Sequence, residues 1–118
     1  MNSIKVTIRI PFGKGTALGP GKVALLEAID STGSISSAAK SMKMSYKRAW
    51  DLVNAMNQGF KQPLIITVTG GKQGGGASVT EAGLLILKTY REMERQANDS
   101  IIDISKHITD QLTTFNSQ

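Results

Sequence analysis

The chain opens on a strict alternation of apolar and polar positions. Ile4, Val6, Ile8 and Ile10 fall on one face and Lys5, Thr7 and Arg9 on the other, which predicts a half-buried strand over Ser3 to Ile10. Pro11 to Gly19 holds three glycines and a proline and predicts a loop. The period then changes to that of a helix. Pro20 suits a first helical turn, Val23, Leu25, Leu26 and Ile29 supply a buried stripe, and Gly33 ends the element. Ser34 is an N-cap for a second, short helix with Ile35, Ala38, Ala39 and Met42 on one face. Two of those four are alanine, so another helix can approach closely. Ser45 caps a third helix, in which Tyr46, Ala49, Val53 and Met56 keep helical spacing to about Asn57.

The β-branched run from Leu64 to Thr69 predicts a strand, and Ala77 to Val79 a short return strand. Between them lies the glycine-rich TGGKQGGGA, Thr69 to Ala77. Thr80 caps a last, long helix, with Glu81 at its positive end. Its apolar stripe is Ile86, Tyr90, Met93, Ala97, Ile101, Ile104, Ile108, Leu112 and Phe115, with Asn98-Asp99-Ser100 as the one expected kink or break. The fold class is therefore α+β, mostly helical: a winged helix-turn-helix with an N-terminal strand, a β-hairpin wing and a long C-terminal helix. Residues 1–79 form the expected DNA-binding domain and residues 80–118 the dimerisation helix. So long an apolar stripe finds no partner inside so small a domain, and a second copy is expected to cover it.

Charge sharpens this picture. The net charge of +5 is unevenly spread. Residues 1–79 carry ten Lys and Arg against Glu27, Asp30 and Asp51, a net +7, whereas residues 80–118 carry four against six acids, a net −2. An anionic partner for the first part follows, and a different task for the second. There is no cysteine and a single histidine, His107, which excludes disulfides, thiolate metal sites and histidine clusters. His107 sits among Asp103, Lys106 and Asp110 as a solvated or interface residue. No nucleophile–base–orienter set can be assembled, so no catalysis, cofactor or metal is expected. No apolar run approaches the ~20 residues of a membrane span, and the N-terminus lacks the apolar core of a signal peptide. A cytoplasmic protein is expected.

A lysine among glycines raises the question of a nucleotide phosphate loop. That motif needs a glycine where Ile66 stands and a Ser or Thr where Gln73 stands, and it lies between a strand and a helix. Here the glycines fall between two strands. Gly70, Gly71, Gly74, Gly75 and Gly76 instead suit a wing tip that brings backbone N–H groups, Lys72 and Gln73 along a nucleic-acid backbone. In the third helix, inward Ala49, Val53 and Met56 leave Lys47, Arg48, Asp51 and Asn54 outward. Ser45, Tyr46, Lys47 and Arg48 at its start suit phosphate and guanine-edge contacts in a major groove, although a plain charged amphipathic helix has the same periodicity. Trp50 fits either the core or a groove contact, and the Tyr46 ring fits the inward stripe while its hydroxyl faces phosphate. Ser34 and Ser36 cap and flank the second helix, where N–H and hydroxyl groups suit a backbone phosphate.

These residues carry a family resemblance. Gly33-Ser-Ile-Ser-Ser-Ala-Ala-Lys, Met44-Ser-Tyr-Lys-Arg-Ala-Trp-Asp, Met56-Asn and Thr69-Gly-Gly-Lys-Gln-Gly-Gly-Gly-Ala followed by Val79-Thr80 resemble the N-terminal DNA-binding domain of the molybdate-responsive ModE regulators. The helix-turn-helix also resembles the wider LysR type. The resemblance runs from about residue 4 to residue 95. It implies a homodimer on double-stranded DNA, held by its long helices, with the helix from Ser45 reading the DNA and Lys72 in the wing. Full-length members carry C-terminal molybdate-binding domains, and this chain stops at Gln118, so molybdate binding is not expected in it. The expected function is sequence-specific transcriptional regulation, with a link to molybdate metabolism or transport. The rival expectation is an adaptor that heterodimerises with a full-length regulator through its C-terminal helix.

Overall fold

The computed structural model describes residues 4–68 and 76–113. Its element order is β1 (Ile10–Phe12), β2 (Gly15–Leu18), α1 (Pro20–Thr32), α2 (Ile35–Ser41), α3 (Tyr46–Gly59), β3 (Ile65–Val68), β4 (Gly76–Val79), α4 (Glu81–Ser100) and α5 (Ile102–Thr109). The three-helix order, the second hairpin and the long following helix match the pattern derived above.

The beginning of the chain differs from it. Residues 4–9 are not a strand, and the expected loop contains a hairpin. β1 pairs antiparallel with β2 (Phe12 opposite Gly15, Ile10 opposite Leu18), with an irregularity at Ile10/Pro11 that accommodates the proline. Gly13, at φ 57°, takes the left-handed turn position between them. The alternation of residues 4–10 is nonetheless real: Val6, Ile8 and Ile10 are half-buried. The neighbour that produces it is a helix. The Val6 N–H donates to Asn98 Oδ1 at 2.8 Å, and the Tyr90 hydroxyl donates to the Ile8 carbonyl at 2.6 Å. Side chains of α4 thus satisfy the extended backbone that a second strand would have satisfied.

α1 begins at Pro20 and ends on Gly33, whose φ of 73° allows its N–H to close onto the Ile29 carbonyl at 2.8 Å. The Gly33 carbonyl in turn accepts the Ala77 N–H at 2.9 Å, tying the end of α1 to β4. α2 is capped by Ser34 and α3 by Ser45, and α4 by Thr80. Ala38, Ala39 and Ala49 are buried where α2 packs against α1 and α3, as small side chains at a close helix crossing require. The core gathers Leu18, Val23, Leu25, Leu26, Ile29, Val53, Met56, Leu64, Ile65 and Tyr90.

The first half of α4 belongs to that core. Gly83 and Tyr90 are buried, and Ile86 packs against the cluster. Tyr90, expected on a dimerisation face, is therefore an interior residue of the protomer, 1% exposed. α4 ends at Ser100, just past Asn98-Asp99. Ile101 leaves helical geometry (φ −109°, ψ 3°), and α5 follows it. The result is elongated, 57 × 37 × 25 Å, with a radius of gyration of 17.6 Å. A compact chain of this length would have ~13–14 Å.

Candidate nucleic-acid interface

The turn between α2 and α3 is short, and Lys43 takes a left-handed φ of 57° within it. The Met44 N–H returns to the Ala39 carbonyl at 3.0 Å and fixes the angle at which α3 departs. At the start of α3 the Ser45 hydroxyl oxygen accepts the Arg48 N–H at 3.0 Å. In α2, Ser34 accepts the Ser37 N–H at 3.1 Å. Ser36, two residues on, stands exposed.

Burial of Ala49, Val53 and Met56 orients α3 and leaves Lys47, Arg48, Asp51 and Asn54 exposed, the division derived from periodicity. At ~100° per residue, Lys47, Asp51 and Asn54 form one outward stripe, with Arg48 on one flank and Tyr46 and Trp50 on the other. Lys47 Nζ lies 3.1 Å from Asp51 Oδ2, so this lysine is paired within the helix. Tyr46 is not in the inward stripe. It is 55% exposed, with its ring edge-on to Trp50 at 6.2 Å and 78°. The helix has only just begun at Tyr46, before the core closes over its inner face. Trp50 is half-buried and packs at the core's margin.

The wing is held from both sides. Asn57 Oδ1 accepts the Leu64 and Ile65 N–H groups at 2.8 and 3.1 Å, and its Nδ2 donates to the Ile65 carbonyl at 2.9 Å. Thr80 Oγ1 donates to the Pro63 carbonyl at 2.7 Å and accepts the Gly83 N–H at 3.0 Å. β3 and β4 then pair in register, Ile65 opposite Val79 and Val68 opposite Gly76. Of the expected wing residues, Gly76 is placed at the start of β4. Gly70, Gly71, Lys72, Gln73, Gly74 and Gly75 lie outside the described residues, as does Phe115 of the last helix.

Ion pairing divides along the chain. On α4 and α5, Arg91 pairs with Glu27 and Glu94, Arg95 with Glu92 and Asp99, and Lys106 with Asp103. The Arg91 fork holds the Glu27 carboxyl below its ordinary range by hydrogen bonding and by charge, against a partial burial that opposes it. In residues 4–68, Lys47 alone of the cations carries an intrahelical pair, and Arg9, Lys22 and Arg48 have no carboxylate partner among the described residues. Arg9 and Lys22, which periodicity did not single out, line an open groove of about 220 Å³ together with Arg48.

Of the expected dimerisation residues, Met93, Ile104, Ile108 and Leu112 are exposed and Ala97 and Ile101 half-buried, while Ile86 and Tyr90 pack inward. Leu84 and Leu85 add exposed apolar surface that the stripe did not include. No helix among the described residues is long and apolar enough to cross a membrane. No metal-holding cluster occurs among the described residues.

The model for the bacterial regulatory helix-turn-helix protein, lysR family, matches residues 21–84, which run from the start of α1 through the wing into α4. The chain belongs to that family. It is 41% identical over 96 residues to the molybdenum transport protein ModE of Azotobacter vinelandii, covering 81% of this chain and 36% of that protein. To the molybdenum-pterin-binding protein MopB of Rhodobacter capsulatus it is 48% identical over 80 residues, covering 68% and 30%. The DNA-binding transcriptional dual regulator ModE of Escherichia coli K12 is 40% identical over 87 residues, covering 71% and 33%. The chain thus spans about a third of the length of these curated relatives. Among solved structures, the CbnR_DBD–DNA complex superposes with a TM-score of 0.55 at 20% identity, over 75% of this chain and 95% of that one. That likeness shows a shared winged-helix fold.

Proposed function

We propose that this chain is a sequence-specific DNA-binding transcriptional regulator that works as a cytoplasmic homodimer on a pseudo-palindromic operator, and that it is not an enzyme. One observation carries the reading. The outward face of α3 offers Arg48, Lys47, Asn54 and Tyr46 to solvent, on a helix-turn-helix whose neighbouring cations are largely unpaired. Two such helices ~34–36 Å apart would enter successive major grooves. Arg48 and the Ser45–Tyr46 start of α3 read base edges, Ser34 and Ser36 meet a backbone phosphate, and Lys72 and Gln73 with their glycines follow the backbone beside the groove. The exposed apolar residues of α4 and α5 hold the second copy. The names of the relatives support a place in molybdenum transport or metabolism.

Binding to duplex DNA as a function of salt tests the reading. Affinity falls steeply with salt and exceeds that for random-sequence DNA at selected sites. Lys72→Ala weakens all sequences about equally, whereas Arg48→Ala also relaxes sequence preference. A flat salt response, or no preference over random DNA, overturns it.

A further inference from the structure

The groove beside α3 holds three cations from three separate elements. Arg9 comes from the extended segment before β1, Lys22 from the first turn of α1, and Arg48 from the first turn of α3. Thr16, Gly19, Pro20, Gly21, Met44 and Leu52 complete the wall, and no acidic side chain lines it. None of the three cations has a carboxylate partner among the described residues. Lys22 Nζ donates to the Thr16 carbonyl, which holds the ammonium at the groove wall and leaves its charge uncompensated. No acid lines the groove to offset these cations, so an anion placed in it is attracted by all of them. A guanidinium fork with an ammonium beside it suits a tetrahedral oxyanion, because the planar donor binds two of its oxygens at once.

We propose that Arg9 and Lys22, beside the base-reading Arg48, form a seat for one DNA backbone phosphate on the flank of α3 opposite Tyr46 and Trp50. The inference rests on the DNA-binding reading above and deepens it. The groove is open to solvent, as a phosphate still attached to a duplex requires. Arg48 belongs both to this groove and to the exposed face of α3, so a strand held here runs alongside the helix that reads the bases. The N-terminal segment and first hairpin thereby become a second backbone grip, separate from the wing between β3 and β4.

The test uses the full chain, a pool of random-sequence duplex DNA, and the Arg9→Gln/Lys22→Gln double variant, which leaves Arg48 in place. Unchanged circular dichroism and melting establish that the variant folds, and Arg9→Lys/Lys22→Arg serves as the charge-conserving companion. The slope of log affinity against log salt falls by about one unit when one phosphate contact is lost. The double variant should show that loss with roughly tenfold weaker binding, and the charge-conserving variant should restore the slope. Control Lys88→Gln, on α4, should leave it unchanged. A wild-type salt slope retained by the Gln variant overturns the seat and leaves the DNA reading intact. Absence of DNA binding by the wild type overturns both. Saturable binding of inorganic phosphate or molybdate that is lost in the Gln variant, with its DNA slope unchanged, assigns the seat to a free oxyanion and overturns the backbone assignment.

Discussion

Asn57, near the end of α3, clasps Ile65 at the start of β3 from both sides of one residue. Its carbonyl oxygen takes the Ile65 N–H and its amide nitrogen donates to the Ile65 carbonyl, while the same oxygen also takes the Leu64 N–H. The helix proposed to read DNA and the strand that leads into the wing are therefore fixed to each other by a single side chain. Asn57→Ala leaves three backbone groups unsatisfied in a half-buried position and should cost roughly 2–3 kcal/mol. Asn57→Asp keeps the acceptor and loses the donor, so it should fall between alanine and wild type. Urea denaturation midpoints at constant m-value measure this order.

At Gly83, α4 passes close against the backbone at Leu64 and the side chain of Val79. A Cβ there would lie 2.4 Å from the Leu64 carbonyl oxygen and 2.6 Å from Val79 Cγ1. Backbone cannot yield as a side chain can. Gly83→Ala should therefore destabilise by about 1–3 kcal/mol, although alanine in an open helix position would stabilise by up to about 1 kcal/mol. Gly21→Ala, with nothing within 4 Å of the added methyl, is the control and should be neutral or slightly stabilising.

Acid stability follows from the carboxylates paired with arginine. Glu27 is held below its ordinary value of 4.5 chiefly by the hydrogen bond from Arg91, and Glu92 is lowered to about 2 chiefly by the hydrogen bond from Arg95, with Gln96 adding to it. Both bind fewer protons folded than unfolded. Their contribution is present above the unfolded value near 4.5 and is lost as the pH falls through the lowered folded values. The melting temperature should drop between about pH 5 and pH 2. Glu27→Gln should flatten the upper part of that fall by no more than about 1 kcal/mol, as expected of a pair at the surface.

The apolar surface of the last two helices predicts self-association. Ile104 and Ile108 are 67% and 63% exposed on α5, a helix that contributes no buried residue. Ile104→Glu/Ile108→Glu should leave the monomer's unfolding unchanged and shift sedimentation equilibrium toward the monomer. Tyr90→Phe should do the reverse. It removes the bond to the Ile8 carbonyl, costs the protomer about 1 kcal/mol, and leaves association unaltered.

Much of this was legible from periodicity and caps. Ser34, Ser45 and Thr80 mark the starts of α2, α3 and α4, Gly33 ends α1, and Ala49, Val53 and Met56 orient α3. Patterning misread the N-terminal segment because alternating burial records only that one face is covered. It does not distinguish a neighbouring strand from the side chains of Tyr90 and Asn98, more than eighty residues away in sequence. The same long-range contact explains why Tyr90 fits the apolar stripe of α4 yet faces its own protomer. Gly83 was hidden for a related reason, since a glycine inside a helix shows its purpose only when the opposing carbonyl is in place. Arg9 and Lys22 belong to different elements, and no local spacing could have joined them to Arg48.

Selection of bound duplexes from a random-sequence pool tests most directly whether two copies of α3 read a symmetric DNA site. The recovered sites should be inverted repeats with half-sites about one helical turn apart, ~34–36 Å, and Arg48→Ala should blur the preferred bases within each half-site. Recovery of sequences with no common motif, or of single unpaired half-sites by a protein that sediments as a dimer, would contradict it.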